Sequence, residues 1–442
     1  MTEVYDAIGI GFGPANLALA IADAELGPAV TGAAPRLRFF EKQPRFGWHR
    51  GMLLEDATMQ VSFLKDLATM RNPTSGFSFL NYLQDKGRLV DFINHKALFP
   101  SRLEFHDYLE WAAARVGAVV DYGATVVEVR PVRADGTIDE LDVVVRFGDA
   151  DQTQVYRTRN VVIATGLVPT VPPGVELSDR VWHSRDVLFE LARLPEPVPR
   201  SFAVVGAGQS AAEVTAHLHE RFPEAQVHSI FTRYGYSPAD DSPFANQIFD
   251  PAAVDDYFGA PDEVKRSLIR YHANTNYSVV DAELIEELYR RLYQEQVRGE
   301  RRLHFLQASR LLATRTTPDY VALTLDSLLT NQRTELQVDI AVLSTGYRST
   351  NVAELMPAVA TECELDQDGE LAVHRDYRVK TNSRLRCGIY LQGPTEHTHG
   401  ISSTLLSNTA VRAGEIFESI MRRTRSQAAE KVEVAEWSSV RT

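Results

Sequence analysis

The chain reads as an α/β protein built from two Rossmann-like dinucleotide-binding folds, with a small, mostly helical third region. Three observations carry that reading. Val4–Ile10 is an apolar run that passes through Gly9-Ile10-Gly11-Phe12-Gly13-Pro14 into an Ala/Leu-rich helical stretch. Ser201–Val205 repeats the pattern, followed by Gly206-Ala207-Gly208-Gln209-Ser210-Ala211 and the helix Ala212–Glu220. A further apolar strand follows each helix, at Leu37–Glu41 and at Gln226–Phe231. Strand, Gly-rich turn, helix and strand is the βαβ unit of a parallel sheet.

The remaining elements fall in order between and after these units. Phe105–Ala114 has helical periodicity. Thr125–Val132 and Asp142–Phe147 alternate like strands of an antiparallel layer. Val161–Ala164 is a short buried strand ending at Thr165-Gly166, and Leu194–Arg200, with three prolines, reads as a linker. Asp281–Val297 is the clearest helix: Asp281 stands where a cap belongs, and Leu284, Ile285, Leu288 and Leu292 share one face. Ala341–Ser344 is a second short buried strand, ending at Thr345-Gly346-Tyr347. The strand Ile389–Gln392 and the helix Leu405–Ile420 close the chain. Residues 1–168 with 345–425 are expected to form one dinucleotide-binding domain, and 169–239 with 298–344 the other. Residues 240–297 form the small region, and 426–442 a frayed tail.

Composition excludes several classes. The chain has 442 residues and a net charge of −13, which argues against a nucleic-acid or anionic-membrane binder. The apolar run Ala7–Ala22 contains four glycine or proline residues and Asn16, so it is read as neither a signal peptide nor a spanning helix. Two cysteines, Cys363 and Cys387, form no CxxC; this excludes a dithiol reductase and a zinc ribbon and fits a cytoplasmic location. Glu396, His397 and His399 lack a further ligand cluster, so no metal is expected. Asp240-Asp241 reads as a loop cap rather than an acid/base couple.

The Gly-rich turns point to cofactors. A pyrophosphate needs bare backbone N–H groups and a helix N-terminus aimed at it. The first turn departs from GxGxxG with Pro14 at the third position, and the second carries Ala211 there. The strand after the first turn ends in Glu41, whose carboxylate suits the ribose 2′-hydroxyl of FAD or NAD. The strand after the second ends Phe231-Thr232-Arg233, and an arginine suits the 2′-phosphate of NADP. An FAD site and an NADPH site in one chain mean a flavin oxidoreductase. Without a dithiol, oxygen is the natural electron acceptor.

Three polar segments mix amides, aromatics and a cation: Met59–Leu67 preceded by Trp48-His49, Asp240–Phe249, and Asn274–Ser278. Such a set suits a zwitterion, with a cation for its carboxylate and amides for its amines. Together with Ser344-Thr345-Gly346-Tyr347, Glu396-His397-Thr398-His399-Gly400 and Leu405-Leu406-Ser407-Asn408, they resemble the N-hydroxylating flavin monooxygenases, the ornithine and lysine N-hydroxylases of siderophore-type biosynthesis. The resemblance runs from about Tyr5 to Ile420 and is nearest to bacterial ornithine N-monooxygenases. It implies that Lys65, Asn246 and Asn276 hold an amino-acid substrate, with Gln60, Leu406 and Ser407 around the flavin and substrate mouth. Trp48 and His49 would pack along FAD, with Gly9, Gly11, Gly13, Pro14 and Glu41 in the first nucleotide site. Gly206, Gly208, Gln209, Ser210 and Arg233 would serve NADPH, and Thr345, Gly346 and Tyr347 would border the cofactors. One departure stands out: Thr232 occupies the position where some relatives carry an arginine for NADPH.

The resemblance further implies that a neutral side-chain amine takes the distal oxygen of a flavin hydroperoxide, in a pocket lined by amides rather than carboxylates. A homo-oligomer, often a tetramer, is implied as well. Ornithine is the expected substrate. Lysine or a diamine such as putrescine is the alternative within the class, and an uncoupled NADPH oxidase or redox module the alternative outside it.

Overall fold

The computed structural model describes residues 3–31, 35–148 and 152–439. Two five-stranded sheets, parallel throughout, form its frame. The first runs in the order Gly388–Leu391, Asn160–Ile163, Ala7–Ile10, Leu37–Glu41, Val120–Tyr122. The second runs Val181–His183, Ile340–Leu343, Ser201–Val205, Gln226–Ile230, Leu303–Leu306. In both, the strand before the Gly-rich turn is central and the reversal of strand order lies beside it, where open α/β sheets bind ligands.

Each sheet carries an antiparallel three-stranded excursion, inserted after Val120–Tyr122 in the first and after Leu303–Leu306 in the second. In the first it is Ala124–Ala134, Thr137–Phe147 and Thr153–Thr158; in the second, Ser309–Thr316, Val321–Ser327 and Arg333–Val338. The alternation read at 125–132 and 142–147 is part of the first. The expected strand Val4–Ile10 is broken at Asp6: Val4–Tyr5 pairs with the excursion, and only Ala7–Ile10 enters the parallel sheet. Asp6 accepts an Arg159 side chain at 3.0 Å there.

Two short strands, Leu167–Pro169 and Tyr347–Ser349, pair antiparallel. Each directly follows a Thr-Gly turn, so the chain passes from one unit to the other and back through one small ribbon. The helices follow the expected burial. Pro14–Thr31 packs on the C-terminal helix Thr409–Ser439, with Leu17 and Ile21 in one core with Ile416, Phe417 and Ile420. Gln209–Arg221 buries Val214 and Leu218 against Phe202, Val204 and Val227. That core also takes in Met52, Leu54 and Ala57 from the first unit. Leu288 is buried on Ala282–Arg298, with Leu284, Ile285 and Leu292 packed beside it, as the one-face pattern predicts.

The C-terminal helix differs from expectation at both ends. It begins at Thr409, leaving Leu405–Asn408 as bends and turns, of which Leu405, Leu406 and Ser407 line the cavity described below, and its backbone stays helical to Ser439. The last three residues of the expected tail, 440–442, lie outside the described residues.

Candidate active site

A cavity of about 2650 Å³ opens between the two sheets and the region 240–297. Both Gly-rich turns face it. Gly11 has φ +85°, and a Cβ there would lie 2.4 Å from the Ala164 carbonyl oxygen. Gly206 has φ +149°, and a Cβ there would lie 2.2 Å from the Ser344 carbonyl oxygen. Each turn thus presses backbone to backbone against the crossover strand of its own sheet, which only glycine permits. Gly13, Pro14, Gly208 and Ser210 also line the cavity; Gly9 does not. Gly9 lies within the strand, where a side chain would strike the Phe39 ring at 2.3 Å, so its bareness serves packing rather than ligand contact.

Glu41 lines the cavity and is 5% exposed. Its two oxygens accept from Phe12 N at 2.7 Å and Gln43 N at 2.8 Å, so the carboxylate braces the turn it was expected to complement. Trp48 and His49 meet edge to face at 4.6 Å, and Tyr347 packs on His49 and His183. Burial, then Arg102 and His106, push the His49 imidazole down to about 4, so this wall is neutral at physiological pH. Thr345 donates to Thr170 O at 2.5 Å, and Gly346 O accepts from Thr170 N, fixing the ribbon at the rim.

Lys65 is presented by a stapled loop. Asp66, 3% exposed, accepts from Ala68 N, Thr69 N, the Thr69 hydroxyl and Phe79 N, all within 2.9 Å. Met59 and Phe63 donate backbone bonds to Pro100 and Leu98. The Lys65 ammonium lies 5.9 Å from the Phe249 ring centroid and has no ion-pair partner among the described residues. The segments 240–249 and 274–278 lie side by side, with Asp240 N bonded to Asn274 O at 3.1 Å. Asn246 Nδ2 donates to Asp241 O at 2.8 Å, and Asn276 also lines the cavity. Asp240 accepts from Ser242 N at 3.1 Å, as a loop cap does. Tyr277 donates to Glu396, tying this region to the C-terminal loop, and burial raises both groups.

The expected pocket of amides without carboxylates is not what the structure shows. Asp281 and Glu213 line the cavity too, but both are tied off. Glu213 is gripped by both terminal nitrogens of Arg102 at 2.9 and 2.7 Å, and Asp281 accepts from Gln60 and Gln209. Sequence reading missed Arg102, Glu213 and the use made of Asp281, since pairs this distant leave no local signal. It also missed Arg310, which lines the nucleotide end near Arg233 and has no ion-pair partner among the described residues. Arg233 itself donates to Ser278 O at 2.8 Å.

Polar groups without partners mark where a ring belongs. Gln392 Oε1, Ser407 Oγ and Arg412 Nε, all on residues that line the cavity, are buried and unbonded. Arg412 is 4% exposed, donates to Ser403 O at 2.6 Å, and has no carboxylate partner among the described residues. Buried polar groups left in this state are costly unless a ligand satisfies them. A planar, hydrogen-bonding, electron-rich ring suits that set, and the Gly11 turn suits its pyrophosphate. The flavin dinucleotide fits.

His397 and His399 are spent within the loop. The His399 ring stacks on Tyr377 at 4.1 Å, and its Nε2 donates to Arg375 O at 3.1 Å. Burial pushes it down to about 3 from an ordinary 6.5. A folded pKa below the unfolded one means the unfolded chain binds the extra proton between them. This contribution to stability is therefore complete above about 6.5 and lost as pH falls toward 3. The melting temperature should fall on acidification through that window. His399→Gln should flatten the slope, which thermal melts across a pH series measure directly.

Two dinucleotide-binding units facing one cavity, with a flavin-sized cradle and the Lys65 ammonium among the lining residues with Asn246 and Asn276, define a flavin- and nicotinamide-dependent oxidoreductase acting on a small polar substrate. Residues 3–349 match the family described as L-lysine 6-monooxygenase/L-ornithine 5-monooxygenase, and the chain belongs to that family. It is 42% identical over 405 residues to an L-ornithine N(5)-monooxygenase of Burkholderia cepacia, covering 90% of each chain. Its fold is similar to the ornithine N-hydroxylase of Kutzneria sp. 744, described with reduced FAD, NADP+ and L-ornithine, at TM-score 0.92 and 48% identity over 96% of this chain and 100% of that one. The L-lysine 6-monooxygenase of Pseudomonas syringae is similar at TM-score 0.83 and 32% identity, over 95% and 99%.

Proposed function

We propose that this chain is an FAD- and NADPH-dependent monooxygenase that N-hydroxylates the side-chain amine of L-ornithine with molecular oxygen. The observation that supports the substrate is the Lys65 ammonium, without an ion-pair partner among the described residues, lining the same cavity as Asn246 and Asn276 and lying 5.9 Å from the Phe249 ring of the Asn246 segment. The Gly11 turn with Gln392, Ser407 and Arg412 would hold FAD, which would supply the activation of oxygen at the expense of NADPH. The protein does the rest by position. Lys65 meets the substrate carboxylate, and the two asparagines orient its amines. The side-chain ammonium, with an ordinary pKa of about 10.4 in lysine, must lose its proton to react. Pairing Glu213 with Arg102 neutralises that carboxylate, so it does not favour the ammonium form. Trp48, His49 and Tyr347 wall the flavin side, and Leu406 and Ser407 close the mouth, limiting water.

The domain division follows the cavity: 1–168 and 345–425 serve FAD, 169–239 and 298–344 serve NADPH, and 240–297 serves substrate. Arg233 and Arg310 stand in for the arginine absent at Thr232. Arg310→Ala is expected to raise KM for NADPH roughly tenfold, the loss of one charge-assisted bond to phosphate, with little effect on NADH. Comparing the two nucleotides in steady state checks it. A cytoplasmic homotetramer feeding siderophore or related biosynthesis is the setting we assign.

The test is a panel of ornithine, lysine, putrescine and no amine with the FAD-loaded protein, NADPH and oxygen. Hydroxylamine in step with NADPH consumed, for ornithine alone, is expected. Peroxide in every tube and hydroxylamine in none would overturn the assignment.

A further inference from the structure

We propose that Asp281 is a positioning residue for the oxygenation assigned above: it latches the nucleotide-binding helix to the flavin-side loop and decides which end of the Gln60 carboxamide faces the cavity. The proposal rests on that assignment for its coupling readout only. Asp281 sits at the N-cap of the helix Ala282–Arg298, where an aspartate ordinarily accepts from an N–H two or three residues on. It makes no such bond. Its Oδ2 instead accepts from Gln60 Nε2 at 2.6 Å and from Gln209 Nε2 at 3.0 Å, and its own N–H donates to Gln209 Oε1 at 2.9 Å. Three stretches of chain, separated by 72 and 221 residues, meet on one residue.

Two consequences follow from the chemistry of the groups. A carboxylate only accepts, whereas a carboxamide both donates and accepts. Asp281 therefore takes the nitrogen end of Gln60 and leaves Oε1 as the acceptor for whatever occupies the cavity. Gln209 is held more completely. Its oxygen is used by Asp281 N–H, and its nitrogen serves both Asp281 and Glu213 Oε1 at 3.1 Å. Gln209 is the first residue of its helix, directly after Gly208, so clamping it fixes the helix end aimed at the nicotinamide nucleotide. Glu213, one turn on, continues the line to Arg102 of the flavin side. The helix gives up its own cap bond, and the carboxylate so released joins flavin loop, nucleotide helix and substrate region.

Asp281→Ala and the near-isosteric Asp281→Asn test this in the FAD-loaded full chain. NADP+ is titrated into the oxidised protein by its perturbation of the flavin spectrum, and hydroxylamine formed per NADPH consumed is measured with ornithine. The alanine variant is expected to weaken NADP+ binding roughly fivefold or more and to lower the coupling ratio at least threefold, with FAD content retained. The asparagine variant, which can still accept one bond, is expected to fall between it and the parent. NADP+ affinity and coupling unchanged in both variants, or a change in melting temperature alone, would overturn the proposal. If the parent hydroxylates no amine, the functional assignment fails and the NADP+ titration alone decides the latch.

Discussion

Lys65→Ala should lower kcat/KM for L-ornithine by roughly 10- to 150-fold, since a hydrogen bond to a charged group contributes about 1.5–3 kcal/mol and each 1.4 kcal/mol is tenfold. NADPH oxidation without amine should stay within about twofold of the parent. The split follows from where the residue stands. Asp66 and the Leu98–Pro100 backbone fix the loop, so losing the ammonium should not move the flavin wall. The ammonium has no carboxylate of its own among the described residues, only the Phe249 ring at 5.9 Å, so a substrate carboxylate is its electrostatic complement. Because the missing bond is made in ground state and transition state alike, the loss should appear chiefly in KM. Lys65→Met, which keeps the stem, should behave as the alanine variant does. Putrescine has no carboxylate and should be indifferent to the change. A KM for ornithine that stays put would remove the argument for an amino-acid substrate and leave the oxidoreductase fold untouched.

The sequence signals that proved informative were local and periodic. Buried parallel strands are apolar runs of four or five residues closed by glycine turns, and both central strands and their turns could be read for that reason. Glu41 was legible as a strand-end acid beside the first turn, and what the structure shows it doing is bracing the Phe12 and Gln43 N–H groups at the cavity wall. The segment Met59–Leu67 was legible as a unit, with Lys65 singled out by the resemblance, but not that Asp66 is its staple; that depends on which side chain turns inward. Asp281 was read as a cap from its position, and tertiary contact redirected its carboxylate to Gln60 and Gln209. Gly9 belongs to the turn motif in sequence yet serves sheet packing in space. Arg102, Arg310 and Arg412 gave no signal at all. An arginine inside a helix or strand is ordinary until the fold turns it to a cavity, paired with a distant carboxylate as Arg102 is with Glu213 or without one among the described residues as Arg310 and Arg412 are, and no spacing rule encodes that.

The two Gly-rich turns are built alike, and the second large effect follows from separating them. Gly11→Ala should yield protein largely stripped of FAD, while Gly206→Ala should keep its flavin and raise KM for NADPH by about tenfold or more. Each change forces a Cβ into a backbone carbonyl, 2.4 Å away at Ala164 and 2.2 Å away at Ser344. Those carbonyls belong to residues that directly follow parallel strands, so relief requires moving the turn, at a cost of about 1–3 kcal/mol from strain of this kind. Moving the turn withdraws the N–H groups that a pyrophosphate needs. Because a ligand that binds only the folded state adds to its stability, the Gly11 variant should also melt lower than the parent. Absorbance of the purified protein near the flavin band reads the first effect, and steady-state titration of NADPH reads the second. The asymmetry is the point of the comparison. The two sheets share their core order and their crossover ribbon, so geometry alone makes the sites equivalent. The difference lies in what surrounds each turn: Glu41 and the unpartnered Gln392, Ser407 and Arg412 groups on one side, Arg233 and Arg310 on the other. Loss of flavin from the Gly206 variant, with Gly11→Ala retaining it, would mean that the surroundings had been assigned to the wrong turns.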